Sequence, residues 1–235
     1  MKALPSYPNP ALARRPWPDG VPRPTPQYRF WRCFFKAMTC ALCQVRIFNR
    51  HFEPASGSVV YICNHQSFLD PVLIAFALRR PMNFMARDSL FRVPLFGRVI
   101  TSVNAFAVRR GTADISAVKE SLRRLKAGGQ VAIFPEGTRS QGGRIGQFLP
   151  GLAVLSQRAA DWTVPVVIDG AFDAWPRGNI LPVPGNIVVQ YAPPIPRAEA
   201  SAQKPEDFVA AVRAQIIEMQ QQMRARLGRP AIRYT

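Results

Sequence analysis

One short segment of the chain combines a histidine with a carboxylate at a spacing that suits proton transfer. It reads Asn64-His65-Gln66-Ser67-Phe68-Leu69-Asp70 and directly follows an apolar run. A histidine accepts a proton near neutral pH, and a carboxylate fixes its tautomer and stabilises the imidazolium. We interpret His65 as a candidate general base and Asp70 as its partner, with Asn64 and Ser67 in support. A structural role stays open at this point, because a lone histidine beside a helix-capping aspartate has the same spacing.

A second polar cluster, Phe134-Pro135-Glu136-Gly137-Thr138-Arg139-Ser140, follows another apolar run. Gly137 allows a tight turn and a close approach of the backbone. Thr138 and Ser140 offer hydroxyls, and Arg139 offers a planar fork that matches a phosphate. The segment is not a Walker loop, because the chain has no GxxxxGK[ST] pattern. An ordinary polar turn is the alternative interpretation.

Two adjacent arginines, Arg109 and Arg110, follow a third apolar run. In an extended chain their side chains face opposite sides. We expect one to face the site and the other to face solvent or a lipid phosphate, with a solvated basic turn as the alternative.

Strand-like and helix-like segments alternate along the chain. This alternation predicts a single α/β domain with a mostly parallel sheet covered by helices. Predicted strands cover residues 58–63, 83–86, 105–108, 131–134, 164–168 and 187–191, and predicted helices cover 70–78, 112–127, 151–160 and 205–227. In such sheets, sites form outside the carboxyl ends of the strands. A base beside two cationic clusters at these ends predicts transfer chemistry on a phosphate-bearing substrate.

The N-terminal region has a different character. Residues 1–27 contain eight prolines, which predicts a disordered, Pro-rich basic arm. Residues 28–50 are interpreted as an amphipathic membrane-binding helix (28–46) with a linker, and residues 51–235 as the α/β domain. The alternative is a helix packed on its own domain. The aromatic and aliphatic face of the predicted helix comprises Phe30, Trp31, Phe34, Phe35, Met38, Ala41, Leu42 and Val45, and it is opposed by Arg29, Arg32 and Lys36.

The charge of the chain favours an anionic partner. Thirty-one Lys and Arg against 14 Asp and Glu give a net charge of +17, which attracts polyanions. An anionic bilayer and nucleic acid both fit, and a merely solubilising surface is the alternative. No nucleic-acid motif is recognisable, so we expect no nucleic-acid partner. We also expect no signal peptide, and no apolar run reaches the roughly 18 residues of a membrane-spanning helix.

The four cysteines match no common zinc pattern, and the chain has only two histidines. We therefore expect buried thiols and no metal site.

At these residues the chain resembles the glycerolipid acyltransferase family that includes 1-acylglycerol-3-phosphate acyltransferases. The family's four blocks occur in order over roughly residues 58–196. They are an NHxxxxD block matched by Asn64, His65 and Asp70, a strand-ending arginine matched by Arg110, an FPEGTRS block matched by 134–140, and a VPV strand matched by 164–166. The resemblance implies that residues 51–235 are an acyltransferase domain.

The resemblance also implies a reaction and a set of roles. His65 would deprotonate a hydroxyl of a lysophospholipid, most simply 1-acylglycerol 3-phosphate, for attack on an acyl thioester, with Asp70 orienting and charge-stabilising it. The donor would be acyl-CoA or acyl-carrier protein, and neither a cofactor nor a metal is implied. The acceptor's phosphate and glycerol would be held by Arg110, Glu136, Gly137, Thr138 and Arg139, with Arg109 and Ser140 in support.

Two departures from the family leave the acceptor open. Arg109 stands where many relatives have an acidic or neutral residue, and the segment Phe148-Leu149-Pro150-Gly151 lacks a cation that many carry. Another lysophospholipid or a lyso-aminolipid is therefore an alternative acceptor. A non-catalytic membrane-binding protein on the same scaffold is the alternative of another class. The resemblance implies a peripheral or monotopic place on the cell membrane, facing the cytoplasm.

An apolar segment between the first two blocks has three possible roles. It contains Leu90, Phe91, Val93, Leu95 and Phe96. These residues could line an acyl tunnel, form a second membrane contact, or pack in the core.

Overall fold

Runs of apolar, largely β-branched residues form the strands. In this computed structural model, which describes residues 17–109, 114–176 and 178–234, they build one eight-stranded sheet. Every residue of the central strand Val59–Cys63 is buried, as expected where both faces of a sheet are covered. The strands are β1 (Cys43–Phe48), β2 (Val59–Cys63), β3 (Met82–Arg87), β4 (Ala105–Val108), β5 (Gln130–Ile133), β6 (Trp162–Asp169), β7 (Gly185–Tyr191) and β8 (Ile195–Pro196).

The strand order is β1-β7-β6-β2-β5-β3-β4, with β8 paired to β6. Five of the pairings are parallel, and only β7 and β8 pair antiparallel with β6. The predicted fold class, a single α/β domain with a mostly parallel sheet, is confirmed. Strands β2 to β6 all end at the same edge of the sheet. That edge receives the loops after residues 63, 87, 108, 133 and 169.

Helices cover both faces of the sheet. One core lies between the sheet and α4, α5 and α8, and it includes Leu125, Leu155 and Phe208. The other lies beneath α2 and α6 and includes Leu73 and Ile74. The helices are α1 (Pro26–Leu42), α2 (Asp70–Ala75), α3 (Pro94–Ser102), α4 (Ile115–Lys126), α5 (Ala153–Arg158), α6 (Ala171–Ala174), α7 (Arg197–Ser201) and α8 (Pro205–Arg226), with 3-10 turns at 50–52, 88–92 and 150–152.

The first helix ends earlier than predicted. Helix α1 ends at Leu42, and residues 43–48 form β1, which pairs in parallel with β7. Along β1, Cys43 is buried and Val45 and Ile47 are half-buried, whereas Gln44 and Arg46 are exposed. This alternation is the two-residue period of a strand. The predicted helix over 28–46 therefore extends four residues too far, and the predicted domain start at residue 51 leaves out the strand that begins at Cys43.

The predicted disordered arm lies mainly outside the described residues, since the structure describes none of residues 1–16. For residues 17–25 the prediction is wrong. The Trp17 indole N–H donates to the Val21 carbonyl at 2.8 Å, and the Arg79 guanidinium lies 5.3 Å from the centre of the Trp17 ring. The chain before α1 therefore packs on the domain, in line with its cation–π contact.

Helix α1 packs on the domain through a polar strip. Tyr28 and Thr39 are buried, and the Tyr28 hydroxyl accepts from the Met82 N–H at 2.9 Å. Arg32 donates to the Leu78 carbonyl at 3.1 Å. It therefore lies on the side of α1 that packs on the domain, where its guanidinium satisfies a backbone carbonyl.

The opposite side of α1 is apolar and exposed. Its residues recur at every fourth position. They are Phe30, Phe34, Met38 and Leu42, whose side chains are 61 %, 48 %, 38 % and 40 % exposed, respectively. We call these four residues the α1 stripe. Cys33 and Cys40 on α1 are also exposed, so the expectation of buried thiols holds only for Cys43 and Cys63. Among the helices of the described ranges, none combines the length and apolarity needed to cross a membrane.

Gly170, between β6 and α6, is a position where the fold requires glycine. Its φ is 85°, and a β-carbon built there would lie 2.1 Å from the carbonyl oxygen of Asn186. We expect Gly170→Ala to lower the free energy of unfolding by roughly 3 kcal/mol, because strain adds to a backbone clash. Gly228→Ala is the control, since its φ is 65° but its surroundings are open. It should cost only about 1 kcal/mol. If urea unfolding gave equal losses of unfolding free energy for the two variants, the requirement for glycine at Gly170 would be contradicted.

Candidate active site

The predicted histidine and aspartate meet at the carboxyl end of β2. His65 lies in the loop after Cys63, and Asp70 is the first residue of α2. His65 Nδ1 and Asp70 Oδ2 are 2.7 Å apart, Asp70 is fully buried, and His65 is 9 % exposed. A carboxylate only accepts hydrogen bonds, so Nδ1 carries the proton and Nε2 is the ring nitrogen available to a substrate. The Phe134 ring stacks on the imidazole at a centroid distance of 4.4 Å.

The Asp70 carboxylate also shapes the loop that holds the histidine. Besides the imidazole, Oδ2 accepts from the backbone N–H groups of Gln66 at 2.6 Å and Ser67 at 2.7 Å. Charge-assisted hydrogen bonds of this kind offset the cost of burying a carboxylate. The same oxygen therefore orients the imidazole and closes the backbone around it.

Glu136 joins the loop after β5 to the loop after β2. Its Oε1 accepts from the His65 N–H at 2.8 Å and its Oε2 from the Gly146 N–H at 2.9 Å. The Ser140 N–H in turn donates to the His65 carbonyl at 2.6 Å. We predicted Glu136 to bind substrate, but both of its oxygens are occupied by backbone donors. These hydrogen bonds favour a role in positioning His65.

Burial sets the ionisation of Glu136. Desolvation raises the pKa of the Glu136 carboxyl, and the hydrogen bonds from the His65 and Gly146 N–H groups partly offset that rise. Ionising this carboxyl therefore costs the folded state more than it costs the unfolded chain.

The turn after Phe134 presents the remaining predicted residues of the third block. The Gly137 N–H donates to the Phe134 carbonyl at 3.1 Å, and Gly137 has a φ of 67°, which explains the glycine. Gly137 and Thr138 are exposed, whereas Ser140 is buried. The Arg139 guanidinium lies 3.6 Å from the centre of the Phe68 ring. The turn thus brings a hydroxyl and a cation beside the His65 loop.

Of the two predicted arginines, the structure describes only Arg109, which does not lie against His65. Arg110 lies outside the described residues. Arg109 is exposed just past β4, and its N–H donates to Asp114 Oδ2 at 2.7 Å. Three strand spacings separate β4 from β2 in the strand order, which is about 14 Å. Arg109 therefore shares the edge of the sheet with His65 but not its immediate surroundings.

Asn64 and Ser67 fix the loop to neighbouring elements. The Asn64 amide donates to the Ile168 carbonyl at 2.9 Å and accepts from the Ile168 N–H at 2.8 Å, which extends the pairing of β2 with β6. The Ser67 hydroxyl donates to the Trp175 carbonyl at 3.0 Å. Both side chains therefore hold the His65 loop against neighbouring elements.

Several residues that hold the site were not predicted. The Gly143 carbonyl accepts from the side-chain amides of Gln66 at 2.9 Å and Gln220 at 3.3 Å. Gln220 lies on α8 and also donates to the fully buried Asp169 at 2.9 Å, which pairs with Arg224 at 2.9 Å. The one sequence signal was a glutamine among the apolar positions of α8. Gly143 and Asp169 lie more than fifty residues from Gln220 in the chain, so spacing could not reveal these two contacts.

An apolar cavity of about 480 Å³ opens beside the loop that carries His65 and Asp70. It lies between α1, α2, α3 and the ends of β3 and β4, and residues on both sides of Asp70 contribute to its wall. Its lining includes Met38, Phe68, Leu69, Pro71, Val72, Met85, Leu90, Phe96, Ile100 and Trp175. Leu90 and Phe96 of the predicted apolar segment thus line the cavity, while Val93 and Leu95 are 53 % and 76 % exposed. Core packing is the wrong interpretation for this segment.

Across the described residues, no group of three or more His, Cys, Asp and Glu side chains is arranged to hold a metal ion.

The sequence of the chain is similar to those of known acyltransferases. A family model described as Acyltransferase matches residues 44–169. The 1-acyl-sn-glycerol-3-phosphate acyltransferase of Cocos nucifera is 30 % identical over 71 % of this chain and 55 % of its own length. That of Borreliella burgdorferi is 23 % identical over 70 % of this chain and 67 % of its own. The chain spans about half the length of the relatives from Cocos nucifera and Chlamydomonas reinhardtii.

The fold is also found in a solved structure. The crystal structure of the 1-acyl-sn-glycerophosphate acyltransferase PlsC from Thermotoga maritima superposes with a TM-score of 0.73 at 22 % identity. The match covers 84 % of this chain and 80 % of that one.

The buried Glu136 gives the stability a pH dependence of known sign. Its folded-state pKa is raised, so the stability it contributes is present at low pH and is lost as pH rises through the folded-state value. We expect the difference in unfolding free energy between the native chain and Glu136→Gln to fall as pH rises above about 4.5, the ordinary pKa of a glutamate. Urea unfolding at several pH values measures this difference.

Glu120→Gln provides a control of opposite sign. Hydrogen bonds from Arg123 and then Arg124 lower the pKa of the Glu120 carboxyl to about 2. The difference for this variant should shrink as pH falls below about 4.5 and stay flat above it. If the differences in unfolding free energy for the two variants changed with pH in the same direction, the raised pKa of Glu136 would be refuted.

Proposed function

The chain belongs to the Acyltransferase family, and we propose that it transfers a fatty acyl group from an acyl thioester to the free hydroxyl of 1-acylglycerol 3-phosphate, giving phosphatidic acid. The observation that supports this activity best is the 2.7 Å hydrogen bond between His65 Nδ1 and the fully buried Asp70. It leaves Nε2 as the proton acceptor and puts a negative charge behind the ring. Relatives named for this activity add support.

The proposed reaction is a direct acyl transfer. His65 Nε2 removes the proton of the acceptor hydroxyl while the oxygen attacks the thioester carbonyl carbon. A tetrahedral intermediate forms, and backbone N–H groups near Gly137 are the candidate donors to its oxyanion. The C–S bond then breaks, and the imidazolium returns its proton to the leaving thiolate. Asp70 balances the charge of the imidazolium throughout. No acyl-enzyme intermediate is needed.

The substrates are assigned by the chemistry of the surfaces beside His65. Arg139 and Thr138 suit the phosphate of the acceptor, because guanidinium and hydroxyl groups donate to phosphate oxygens. The apolar cavity suits an acyl chain, and its volume of about 480 Å³ falls within the usual range for ligand pockets. The donor is acyl-CoA or acyl-carrier protein, and we propose no resident cofactor. Another lysophospholipid or a lyso-aminolipid is the alternative acceptor.

We further propose that the protein acts at a membrane surface. The α1 stripe, Leu95 of α3 and the loop residues Ile180 and Leu181, which are 89 % and 73 % exposed, all present apolar side chains to solvent. Met38 and Phe96 also line the cavity, so the exposed apolar surface is continuous with its wall. A net charge of +17 adds attraction to an anionic bilayer. The proposed location is the cell membrane, peripheral or monotopic, facing the cytoplasm.

The catalytic proposal is tested on the pair itself. We expect His65→Ala to lower kcat/KM by at least about 10³-fold, because the proposed proton acceptor is lost. Asp70→Asn should lower kcat by about 10²-fold, because the neutral amide no longer balances the imidazolium. His51→Ala is the matched control, since His51 is exposed on the 3-10 turn at residues 50–52. Each variant is assayed with a matrix of acyl donors and lyso-acceptors.

Two outcomes would contradict the proposal. Full activity of His65→Ala would contradict the proposed role of His65 as the proton acceptor. Absence of turnover with every donor, together with tight binding to anionic vesicles, would favour a non-catalytic membrane-binding protein instead.

The membrane proposal is tested by making part of the α1 stripe polar. Phe30→Ser/Phe34→Ser should weaken co-sedimentation with phosphatidylglycerol-containing vesicles at least about tenfold, because two exposed aromatic rings are lost. Phe48→Ser is the control, since Phe48 is 43 % exposed at the opposite end of β1 from Cys43. Equal binding of the two variants would show that α1 is not the docking surface.

A further inference from the structure

We propose that Phe68 is a positioning residue, which orients Arg139 toward the acceptor phosphate and separates that phosphate from the acyl chain. This inference rests on the proposed function. It concerns one of the unspecified positions of the NHxxxxD block, where the spacing of His65 and Asp70 leaves the residue type free.

The first observation is the contact with Arg139. The guanidinium carbon lies 3.6 Å from the centre of the Phe68 ring, so the cation sits directly over the negative face of the ring. Phe68 is 51 % exposed, and burial therefore does not explain the aromatic residue. A flat face of this size restricts the guanidinium to a plane parallel to the ring. That restriction fixes the direction in which its N–H groups donate.

The second observation is that the ring itself is held. Its centre lies 5.5 Å from that of Trp175, at an interplanar angle of 58°. Trp175 is fixed in turn, because its indole N–H donates to the Asn179 carbonyl at 2.9 Å and its carbonyl accepts from the Ser67 hydroxyl. Phe68 is thus held between a guanidinium and an anchored indole.

The third observation is the place of the ring in the site. Phe68 and Trp175 both line the apolar cavity, so one aromatic ring borders the cavity and also carries Arg139. It lies three positions after His65 in the loop closed by Asp70. A lysophospholipid presents a phosphate, a free hydroxyl and an acyl chain in a fixed order. The ring therefore sets where the hydroxyl lies relative to His65 Nε2.

The test compares kinetic constants in variants of the full chain. We expect Phe68→Leu to raise KM for 1-acylglycerol 3-phosphate about five- to tenfold, because Arg139 loses its platform, while kcat changes less than about twofold. Phe68→Tyr, which keeps the aromatic face, should restore the native KM. With monoacylglycerol as acceptor, any activity should keep its KM in Phe68→Leu, because no phosphate is present.

Two controls separate positioning from a structural role. Phe48→Leu makes the same chemical change at an exposed site on the far end of β1 and should leave KM unaltered. In an Arg139→Gln background, Phe68→Leu should change KM less than about twofold, because the ring acts through the guanidinium. Urea unfolding of each variant checks that the fold is retained.

The outcomes distinguish this inference from the proposed function. An active native chain whose KM is unaffected by Phe68→Leu overturns the role of Phe68 alone. The same holds if Phe68→Tyr fails to restore KM, or if the effect of Phe68→Leu persists without Arg139. A native chain that neither transfers acyl groups nor binds a short-chain 1-acylglycerol 3-phosphate in calorimetry overturns both proposals.

Discussion

The carboxylate oxygen Asp70 Oδ2 accepts three hydrogen bonds, from the His65 imidazole and from the backbone N–H groups of Gln66 and Ser67. Such a concentration of donors is what allows a fully buried carboxylate to remain in the core. Removing it would release the ring and open the loop together. The arrangement also explains why Asp70 begins α2, since a carboxylate at a helix N-terminus is favoured by the helix dipole. The orientation of the imidazole and the closure of the loop therefore depend on a single oxygen.

A second carboxylate extends this constraint across the edge of the sheet. Glu136 accepts a hydrogen bond from the His65 N–H, and the Ser140 N–H donates to the His65 carbonyl, so the third block is attached to the backbone of the first. The loop beyond it is held from α8 through Gln220, which reaches the Gly143 carbonyl and Asp169. Glu136, which we predicted to contact substrate, thus holds the backbone around His65. In the proposed function, Thr138, Arg139 and the His65 ring contact the substrate.

The two sides of the site have opposite chemistry. One side carries the Arg139 cation and exposed hydroxyls, and the other opens into an apolar cavity continuous with the exposed apolar surface of α1 and α3. Phe68 and Trp175 stand between them. An amphiphile with an anionic head and an apolar chain matches this division, because each part would meet the surface that solvates it. The same division would let such a molecule enter directly from a bilayer in contact with the α1 stripe.

The sequence by itself determined the α/β class, most strand positions and the pairing of His65 with Asp70. Those features follow from local periodicity and from a five-residue spacing that one loop can close. Tertiary structure decided the rest. Residues 43–48 form a strand because they pair in parallel with β7. The Arg32 side chain lies against the domain because its guanidinium donates to the Leu78 carbonyl. Glu136 became a support for His65, and Phe68 met Arg139 across two loops, through contacts between residues about seventy positions apart. Such contacts leave no periodic signal in a sequence, because they depend on where the sheet brings the ends of its strands.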